Sequence, residues 1–405
     1  MNANGRPRVI RAENKDFAMS DLIYLDNGAT SFPKPEEVYE FMDSFHRANG
    51  VSPGRSGCDL SIETGNVIEE TRKALTEYFN GDDPNRLIFS LNSTEGLNLA
   101  ISGLVSAGDH VITTTVEHNA VLRPLHHQEV YKNVEVDYVP FDENGFVNPD
   151  DFIPLFKENT RVVIVNHASN VIGTVQPIRE IGKLCQERGV IFIVDASQTA
   201  GKVPVDMVEQ YIDVVAFTGH KSLLGPTGVG GLYVREGVDI RHTRAGGTGV
   251  KSAILHHLEE YPYRLEYGTP NLVGIAGLLA GLKWLKCRGV EEIHRQEMNL
   301  TQLFVDGLKD IKNITTYCQD DLTDHIGVVS FNVNGFEATN VGTILDGDYN
   351  IACRTGLQCA PFVHKQLGTD KLHGTVRMGF GPFNTEEHIQ TAVTAVREIA
   401  ETYGQ

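Results

Sequence analysis

Short runs of Val and Ile recur along the first two thirds of the chain, and they are continuous instead of alternating with polar residues. The runs are LIFS (87–90), HVITTT (110–115), RVVIVN (161–166), VIFIVD (190–195) and DVVAFT (213–218). A continuous β-branched run is typical of a strand that is buried on both faces of a parallel sheet. Helical patterns such as STEGLNLAISGL (93–104) and IREIGKLCQERG (178–189) lie between the runs. The pattern predicts an α/β fold with a mostly parallel central sheet.

The pattern changes near residue 280. Two strand-like runs, VVSFNV (328–333) and TVRMGFG (375–381), follow a long helical stretch, and a final helix comes after them. In that helix Asn384 and Glu387 have the spacing of an N-cap and its N3 partner. This order of elements predicts a smaller α+β domain. We therefore divide the chain into a flexible lead (1–20), a large domain (21–280) and a small C-terminal domain (281–405).

The composition argues against several classes of protein. The 405 residues are 41% hydrophobic, enough for a sizeable core, and carry a formal net charge of −18. A surface this acidic argues against binding to nucleic acid or to an anionic membrane. No apolar run approaches the ~20 residues of a membrane-spanning helix. The six cysteines are too sparse for a disulfide framework and form no C-x-x-C pair, so we expect a cytoplasmic protein without a structural metal.

Polar or ionisable residues follow all five of these runs. They lie at 92–95, 117–119, 167–170, 195–198 and 218–221. Ligands of open parallel sheets bind beyond the carboxyl ends of the strands, which share one edge of the sheet. We therefore expect these residues to lie together at a binding site.

Each group also has an ordinary structural interpretation. Taken alone, N-S-T-E at 92–95 fits a helix capping box better than an anion site, and His118 fits a structural histidine. Asp195 could cap a helix, and Lys221 could be a solvated loop lysine. At the end of a wholly apolar strand, however, Asp195 would be a costly buried charge without a cationic partner. A partly desolvated Lys221 would have a lowered pKa and become a better nucleophile.

Together the groups match the needs of one cofactor, pyridoxal phosphate. It requires a lysine for its aldehyde, a carboxylate for its ring nitrogen, an anion site for its phosphate and a flat ring against its face. These are supplied in turn by Lys221, by Asp195, by Ser93 and Thr94 with His220, and by His118. The Gly-rich GPTGVGG (225–231) lacks the spacing of a nucleotide phosphate loop.

Seven longer strings extend this match along the chain. They are DNGATSFPKP (26–35), NSTEGLNL (92–99), VEHNA (116–120), NHASNVIGT (166–174), DASQTAGKVPVD (195–206), FTGHKSLLGPTGVGGLYV (217–234) and LEYGTPN (265–271). They resemble the class V, fold-type-I pyridoxal-phosphate enzymes, and among these the chain is most similar to cysteine desulfurases and selenocysteine lyases. The resemblance covers about residues 22 to 400. It implies the transferase fold type I with a smaller C-terminal domain.

The resemblance also implies a role for each group at the predicted site. Lys221 would bond to the cofactor and move the proton at the substrate Cα, His118 would stack on the ring, and Asp195 would pair with the ring nitrogen. Asn170 and Gln198 would lie near the ring hydroxyl. The phosphate would be held by Ser93, Thr94, Thr218 and His220, with Thr269 from a second subunit. Thr269 therefore implies a homodimer with shared active sites.

The C-terminal segment RTGLQCAP (354–361) resembles the part of desulfurases that carries the sulfur-acceptor cysteine. The resemblance makes Cys359 that acceptor, and only a cysteine thiolate can take a sulfur atom as a persulfide. Alone, Cys359 would more commonly be a small buried hydrophobe, the role we expect for Cys353. Arg377 matches the arginine that binds the substrate carboxylate through two hydrogen bonds. The substrate site is completed by Arg354, Ala29 and Asn170.

The sequence thus predicts a cysteine desulfurase that converts L-cysteine to L-alanine and passes sulfur from Cys359 to an acceptor protein for iron–sulfur cluster or thio-cofactor synthesis. A selenocysteine lyase, which cleaves a C–Se bond to give alanine and selenide, is the main alternative. Leu357 and Gln358 stand where better-known relatives carry two histidines, so the choice between sulfur and selenium stays open. A class V aminotransferase would leave Cys359 without a task. A persulfide-carrying scaffold with poor turnover is the non-enzymatic alternative.

Overall fold

The computed structural model describes residues 22–53 and 58–405, so the predicted lead at 1–20 lies outside the described residues. The helices of the described part are α1 (Glu36–Asn49), α2 (Asp59–Tyr78), α3 (Ser93–Leu104), α4 (Asn119–Lys132), α5 (Ile178–Arg188), α6 (Leu272–Arg288), α7 (Val290–Lys309), α8 (Ala338–Tyr349), α9 (Pro361–Leu367) and α10 (Glu386–Tyr403). The strands are β1 (Ile23–Tyr24), β2 (Leu87–Ser90), β3 (His110–Thr114), β4 (Glu135–Val139), β5 (Thr160–Asn166), β6 (Ile191–Asp195), β7 (Val214–Thr218), β8 (Gly230–Val234), β9 (Ile314–Thr316), β10 (Val328–Val333), β11 (Ile351–Ala352), β12 (Arg354–Gly356) and β13 (Thr375–Gly379). No helix in these ranges is both long enough and apolar enough to cross a membrane.

The central sheet has seven strands in the order β2-β8-β7-β6-β5-β3-β4. Strands β3 to β7 run parallel to one another, whereas β8 is antiparallel to both β2 and β7. Strand β2 therefore runs in the same direction as β7. All five predicted strands are confirmed, and their carboxyl ends share one edge of the sheet. The sheet also contains β4 and β8, which we did not predict.

Both faces of this sheet are covered, which explains the continuous apolar runs. In β5, Val163 and Val165 belong to a core shared with α2, α5 and α6, while Val162 and Ile164 belong to a core shared with α3 and α4. Successive side chains of a strand point to opposite faces, so each run must be apolar at every position to serve both cores.

A second, antiparallel sheet has the order β12-β13-β10-β9 and packs against α7, α8 and α10. Strand β1 pairs in parallel with β11, so the first described strand packs with this C-terminal part. Helix α6 runs through the predicted boundary at residue 280, and its Leu278 and Leu282 lie in the core of the large sheet. The division into domains at 280 remains a prediction.

The cap of the final helix differs from the prediction. Thr385, and not Asn384, is the N-cap of α10, where its Oγ1 accepts a hydrogen bond from the backbone N of His388 at 3.3 Å. The side chain of Asn384 is buried, and its Oδ1 accepts from Gly381 N at 2.8 Å and from Asn27 Nδ2 at 3.1 Å. Asn384 therefore ties the N-terminal segment to the loop before α10, and it is not free to cap the helix.

Candidate active site

A cavity of about 390 Å³ opens at the carboxyl edge of the central sheet. This volume is within the usual range for small-molecule sites. Thirteen of the fourteen predicted site residues line it: Ala29, Ser93, Thr94, His118, Asn170, Asp195, Gln198, Thr218, His220, Lys221, Arg354, Cys359 and Arg377. The parallel strands contribute the lining residues between 93 and 221, and the segments after β1 and around β12 and β13 bring in residues that are more than 300 positions apart in sequence.

Thr269 is the exception. In its own chain it lines a separate cavity of about 320 Å³ together with Leu91, Arg244 and Tyr267. A contribution of Thr269 to the site of a second subunit stays a prediction.

Asp195 ends β6 and is almost fully buried. Its Oδ1 accepts hydrogen bonds from Ser93 Oγ at 3.2 Å, Ser197 N at 3.0 Å and Ser197 Oγ at 2.5 Å. Within the described residues, Oδ2 has no such partner. Ser93, which we predicted at the phosphate, therefore directs its hydroxyl to Asp195.

Lys221 follows β7, and its amine is the candidate nucleophile of the cavity. Burial lowers the pKa of Lys221 from 10.5 to about 8, and the attraction of Asp195 opposes this shift only in part. A lysine with this pKa releases its proton far more readily than a solvated lysine. The amine is therefore suited to attack a carbonyl and to carry a proton.

The backbone on either side of Lys221 is held by the segment that follows β1. Thr30 Oγ1 donates to the carbonyl of His220 at 2.9 Å, and Lys34 Nζ donates to the same oxygen at 2.7 Å. Ser31 Oγ donates to the carbonyl of Lys221 at 2.8 Å. These bonds fix the direction from which the lysine side chain enters the cavity.

His118 is the N-cap of α4, and its Nδ1 accepts a hydrogen bond from Ala120 N at 3.0 Å. The neutral ring therefore carries its proton on Nε2. Burial, with a further contribution from Lys221, lowers the pKa of His118 to about 4. The side chain is consequently a neutral flat ring at neutral pH, and its shape suits stacking on a cofactor.

Helix α3 begins at the cavity. Asn92 caps it by accepting a hydrogen bond from Glu95 N at 3.0 Å, so the N-cap half of the predicted capping box is confirmed. The box is not complete, because Glu95 Oε2 accepts from Leu91 N at 2.8 Å and not from the backbone N of Asn92. The same helix start also places Ser93 and Thr94 in the cavity wall. The first N–H groups of a helix have no partner within it and attract anions, so capping and anion binding are compatible here.

Two further groups suit a phosphate. Thr218 Oγ1 and His220 Nδ1 are buried and have no hydrogen-bond partner among the described residues. Burial and the nearby Lys221 lower the pKa of His220 to about 4, so this ring is neutral. Buried polar groups are rarely left unpaired, and unpaired groups in a cavity wall indicate a bound ligand.

One carboxylate organises both predicted substrate arginines. Asp26 Oδ1 accepts from Arg377 Nη2 at 2.9 Å, and Asp26 Oδ2 pairs with Arg354 Nη2 at 2.8 Å. Arg377 Nη1 donates to the carbonyl of Asn170 at 2.9 Å, while its buried Nε has no partner in the described part. A carbon atom added at Gly28 would lie 3.3 Å from the Arg377 guanidinium, so glycine leaves room for it.

Asn170 and Gln198 are both buried in the cavity wall. Gln198 Nε2 donates to the carbonyl of Gly28 at 2.9 Å, and Asn170 Nδ2 donates to the carbonyl of Gln358 at 2.6 Å. Asn170 Oδ1 has no partner among the residues described. This oxygen is therefore available to a ligand.

Some residues that follow the predicted strands have structural roles. His167 is buried, and its Nδ1 lies 2.9 Å from Thr199 Oγ1. Glu117 Oε1 accepts from Thr114 Oγ1 and from Asn166 N, both at 2.8 Å. Burial raises the pKa of Glu117 to about 8, so its carboxyl is mostly protonated at neutral pH. Neither of these two side chains lines the cavity.

Asp26 and Gln358 were missed by the sequence analysis as functional residues. Asp26 follows a strand of only two residues, which no periodicity can reveal. The sequence signal for Asp26 was a polar residue directly after an apolar segment, the same signal that identified the residues at the ends of the other strands. Gln358 was noted only as a departure from relatives.

The comparisons with known proteins agree with this geometry. The family model described as aminotransferase class-V matches residues 23–391. A probable cysteine desulfurase of Pyrococcus abyssi is 34% identical over 98% of both chains, and a cysteine desulfurase of Shigella flexneri is 31% identical over 95% of this chain and 94% of that one. The solved apo structure of a cysteine desulfurase from Thermococcus onnurineus NA1 has a TM-score of 0.89 at 34% identity and covers 95% of this chain and 96% of that one. CsdA, a cysteine desulfurase from Escherichia coli, has a TM-score of 0.84 at 26% identity with the same coverage.

The chain therefore belongs to the cysteine desulfurases of the class-V aminotransferase family. The likeness to the solved structures also confirms the predicted fold type I with its smaller C-terminal part.

Proposed function

We propose that the chain binds pyridoxal phosphate in this cavity and uses it to convert L-cysteine to L-alanine. The observation that supports this most directly is the convergence of Lys221, Asp195 and His118 on one cavity. The buried atoms without partners fit the same group: Asn170 Oδ1, Thr218 Oγ1, His220 Nδ1 and Arg377 Nε. When bound, the cofactor supplies an electron sink for a substrate that loses its Cα proton.

The residues would hold the cofactor as follows. Lys221 would bond to its aldehyde, Asp195 would keep its ring nitrogen protonated, and His118 would stack on its face. Asn170 and Gln198 would lie near the ring hydroxyl. The phosphate would be bound by Thr94, Thr218 and His220 and by the backbone N–H of Ser93 at the start of α3, since the Ser93 hydroxyl donates to Asp195. Thr269 of a second subunit would complete the site in a homodimer.

The substrate would be oriented by Arg377. Asp26 and the carbonyl of Asn170 occupy one N–H each on Nη2 and Nη1, so the N–H of Nε and one N–H on each of Nη1 and Nη2 remain. A carboxylate would bind at the edge formed by Nε and Nη2. This edge can form two parallel hydrogen bonds. Arg354 adds positive charge, and Ala29 and Asn170 complete the wall. Lys221, with a pKa near 8, would remove the Cα proton and return a proton to the product.

Cys359 would receive the sulfur. Its thiolate attacks the substrate sulfur, so the substrate C–S bond breaks and an S–S bond forms. The substrate carbon gains a proton, giving L-alanine and a Cys359 persulfide. A thiol of an acceptor protein then attacks the outer sulfur and regenerates Cys359, and no external oxidant is needed. The acceptor would serve iron–sulfur cluster or thio-cofactor synthesis.

The test compares purified wild type with Cys359→Ala and with Cys287→Ala, a control at another exposed cysteine. With L-cysteine and a dithiol, wild type and control are expected to release alanine and sulfide. Cys359→Ala should release little sulfide while the visible absorption band of the bound cofactor is unchanged. Turnover of L-selenocysteine alone would select the lyase, and full activity of Cys359→Ala would contradict the proposed role.

A further inference from the structure

The loop that carries Cys359 has an unusual backbone. Gln358 has φ of 39° and Cys359 has φ of 60°, both in the left-handed region. Neither residue is glycine, and the left-handed region is unfavourable for residues that carry a Cβ. A loop with two such residues in succession persists only where surrounding bonds determine its conformation.

The side chain of Gln358 supplies part of that support. It is buried, and its Nε2 donates to the carbonyl of Thr375 at 2.9 Å. A carbonyl only accepts hydrogen bonds, so the amide orientation is fixed and Oε1 faces His364 Nε2 at 2.8 Å. Nε2 of His364 must therefore carry the proton.

His364 is held in the same way from its other side. Its Nδ1 must accept the hydrogen bond from Thr369 Oγ1, which lies at 2.8 Å. Burial lowers the pKa of His364 to about 4, in agreement with a neutral ring. The bonds form one directed chain from Thr369 through His364 and Gln358 to Thr375.

The main chain of the loop is anchored to the opposite side of the cavity. Asn170 Nδ2 donates to the carbonyl of Gln358 at 2.6 Å, and Asn119 N donates to the carbonyl of Cys359 at 2.7 Å. Asn119 directly follows His118. The loop is thus fixed between the central sheet and β13, the strand that carries Arg377.

A fixed loop suits the position of the thiol. Cys359 lines the active-site cavity and also an adjoining groove of about 490 Å³ between α3 and α4. From this position the sulfur meets the cavity on one side and the protein surface on the other.

We propose that Gln358 is a positioning residue which, through its bonds to His364 and Thr375, sets the place of Cys359 for sulfur transfer. The proposal rests on the proposed function, because Cys359 must be the sulfur acceptor. It assigns Gln358 no contact with the substrate. His364 acts only through Gln358.

The first test measures hydrogen exchange in the cofactor-loaded full chain. Gln358→Met and His364→Phe are expected to speed exchange about tenfold or more in peptides covering 118–121 and 357–361, because the anchored amides open more often. Leu357→Ala is the matched control, since Leu357 lies in the same loop with an exposed side chain outside the chain of bonds. It should leave exchange unchanged.

The second test separates positioning from general stability. In a single turnover, Gln358→Met should slow persulfide formation on Cys359 about tenfold to a hundredfold, the usual cost of an ångström of misplacement. The dissociation constant of L-cysteine, followed by the cofactor absorption, should change less than about twofold, because no substrate contact is lost. His364→Gln, whose amide can still donate to Gln358, should restore most of the rate lost in His364→Phe. The double variant of Gln358→Met and His364→Phe should be no slower than Gln358→Met alone.

The outcomes distinguish a failure of the proposed function from a failure of the positioning role of Gln358. Absence of alanine and persulfide in wild type would overturn the proposed function. Normal wild-type turnover with unchanged exchange and unchanged persulfide formation in the variants would overturn the positioning role alone. If Gln358→Met does not fold, His364→Phe, which keeps Gln358, decides the question by the same two measurements.

Discussion

Lys221 and Cys359 face the same cavity, but different interactions hold them in place. Lys221 follows a strand buried on both faces of a seven-stranded sheet, and its neighbouring carbonyls are fixed by Thr30, Ser31 and Lys34. Cys359 sits in a loop with left-handed backbone that side-chain hydrogen bonds hold to both parts of the molecule.

The difference teaches which part of such a site a sequence reveals. A group at the end of a buried parallel strand takes its position from the hydrophobic pattern, which is visible along the chain. A group in a loop takes its position from individual hydrogen bonds between distant residues. The following predictions test this contrast, beginning with the largest expected effect.

Lys221→Ala, on the side of the cavity formed by the central sheet, should abolish most of the activity. We expect at least a ~10³-fold loss of alanine formation, because both the covalent attachment and the proton carrier are removed. Measurement of alanine release and of cofactor that survives gel filtration checks this. Lys183→Ala, at an exposed lysine of α5, is the control and should change neither. Substantial activity of Lys221→Ala would contradict the assignment.

Asp26→Asn should weaken the contact between the segment after β1 and the strands β12 and β13, which carry Arg354 and Arg377. It leaves Arg377 buried without its charged partner, and such a loss costs about 3–5 kcal/mol in the free energy of unfolding. We also expect KM for L-cysteine to rise at least about tenfold, since the guanidinium is less well placed. Urea unfolding and steady-state kinetics measure both. The control Asp43→Asn, in an exposed ion pair with Arg47, should leave the urea unfolding midpoint almost unchanged.

The pKa of Lys221 predicts that the rate of cofactor attachment depends on pH. With a pKa near 8, the amine of the cofactor-free protein is protonated below pH 8 and cannot attack an aldehyde. The rate of pyridoxal-phosphate attachment should therefore rise about tenfold per pH unit up to about pH 8 and then level off. Stopped-flow absorbance measures this rate. Pyridoxine phosphate has no aldehyde, so its binding rate should not rise with pH in this way. A rate of pyridoxal-phosphate attachment that does not change with pH would contradict the role of Lys221.

Gly28→Ala should have the smallest effect. The new carbon would lie 3.3 Å from Arg377, so the guanidinium must shift by a few tenths of an ångström. We expect KM to rise about fivefold, equivalent to about 1 kcal/mol, with little change in kcat. Gly65→Ala in α2 is a matched control, because no atom lies within 4 Å of the added carbon. An unchanged KM in Gly28→Ala would show that Arg377 is less constrained than we infer.

Much of the central sheet could be predicted because burial on two faces imposes a simple rule on β5, β6 and β7. Strand β8 escaped prediction since its two glycines interrupt the apolar pattern. Asn384 was assigned to the wrong role because a free cap and a buried tie between loops look alike in sequence. The hydrophobic pattern does not reveal whether a polar side chain forms hydrogen bonds to a distant segment of the chain.

The site was predictable to a similar degree. Strand ends identified Asp195, His118 and Lys221, while Cys359 and Arg377 came from family resemblance alone. The pairing of Asp26 with two arginines depends on β1 lying beside β11, a contact between residues more than 300 positions apart. The bonds of Gln358 likewise depend on how β12 pairs with β13.

The most direct test of the account is to find where the sulfur goes. Wild type is allowed one turnover with L-cysteine without reductant, trapped with an alkylating agent and digested, and each cysteine peptide is examined by mass spectrometry. The account predicts one added sulfur atom on the peptide containing Cys359, in an amount equal to the alanine formed. Alanine formed without sulfur on Cys359, or with sulfur on Cys353 or Cys287 instead, would contradict it.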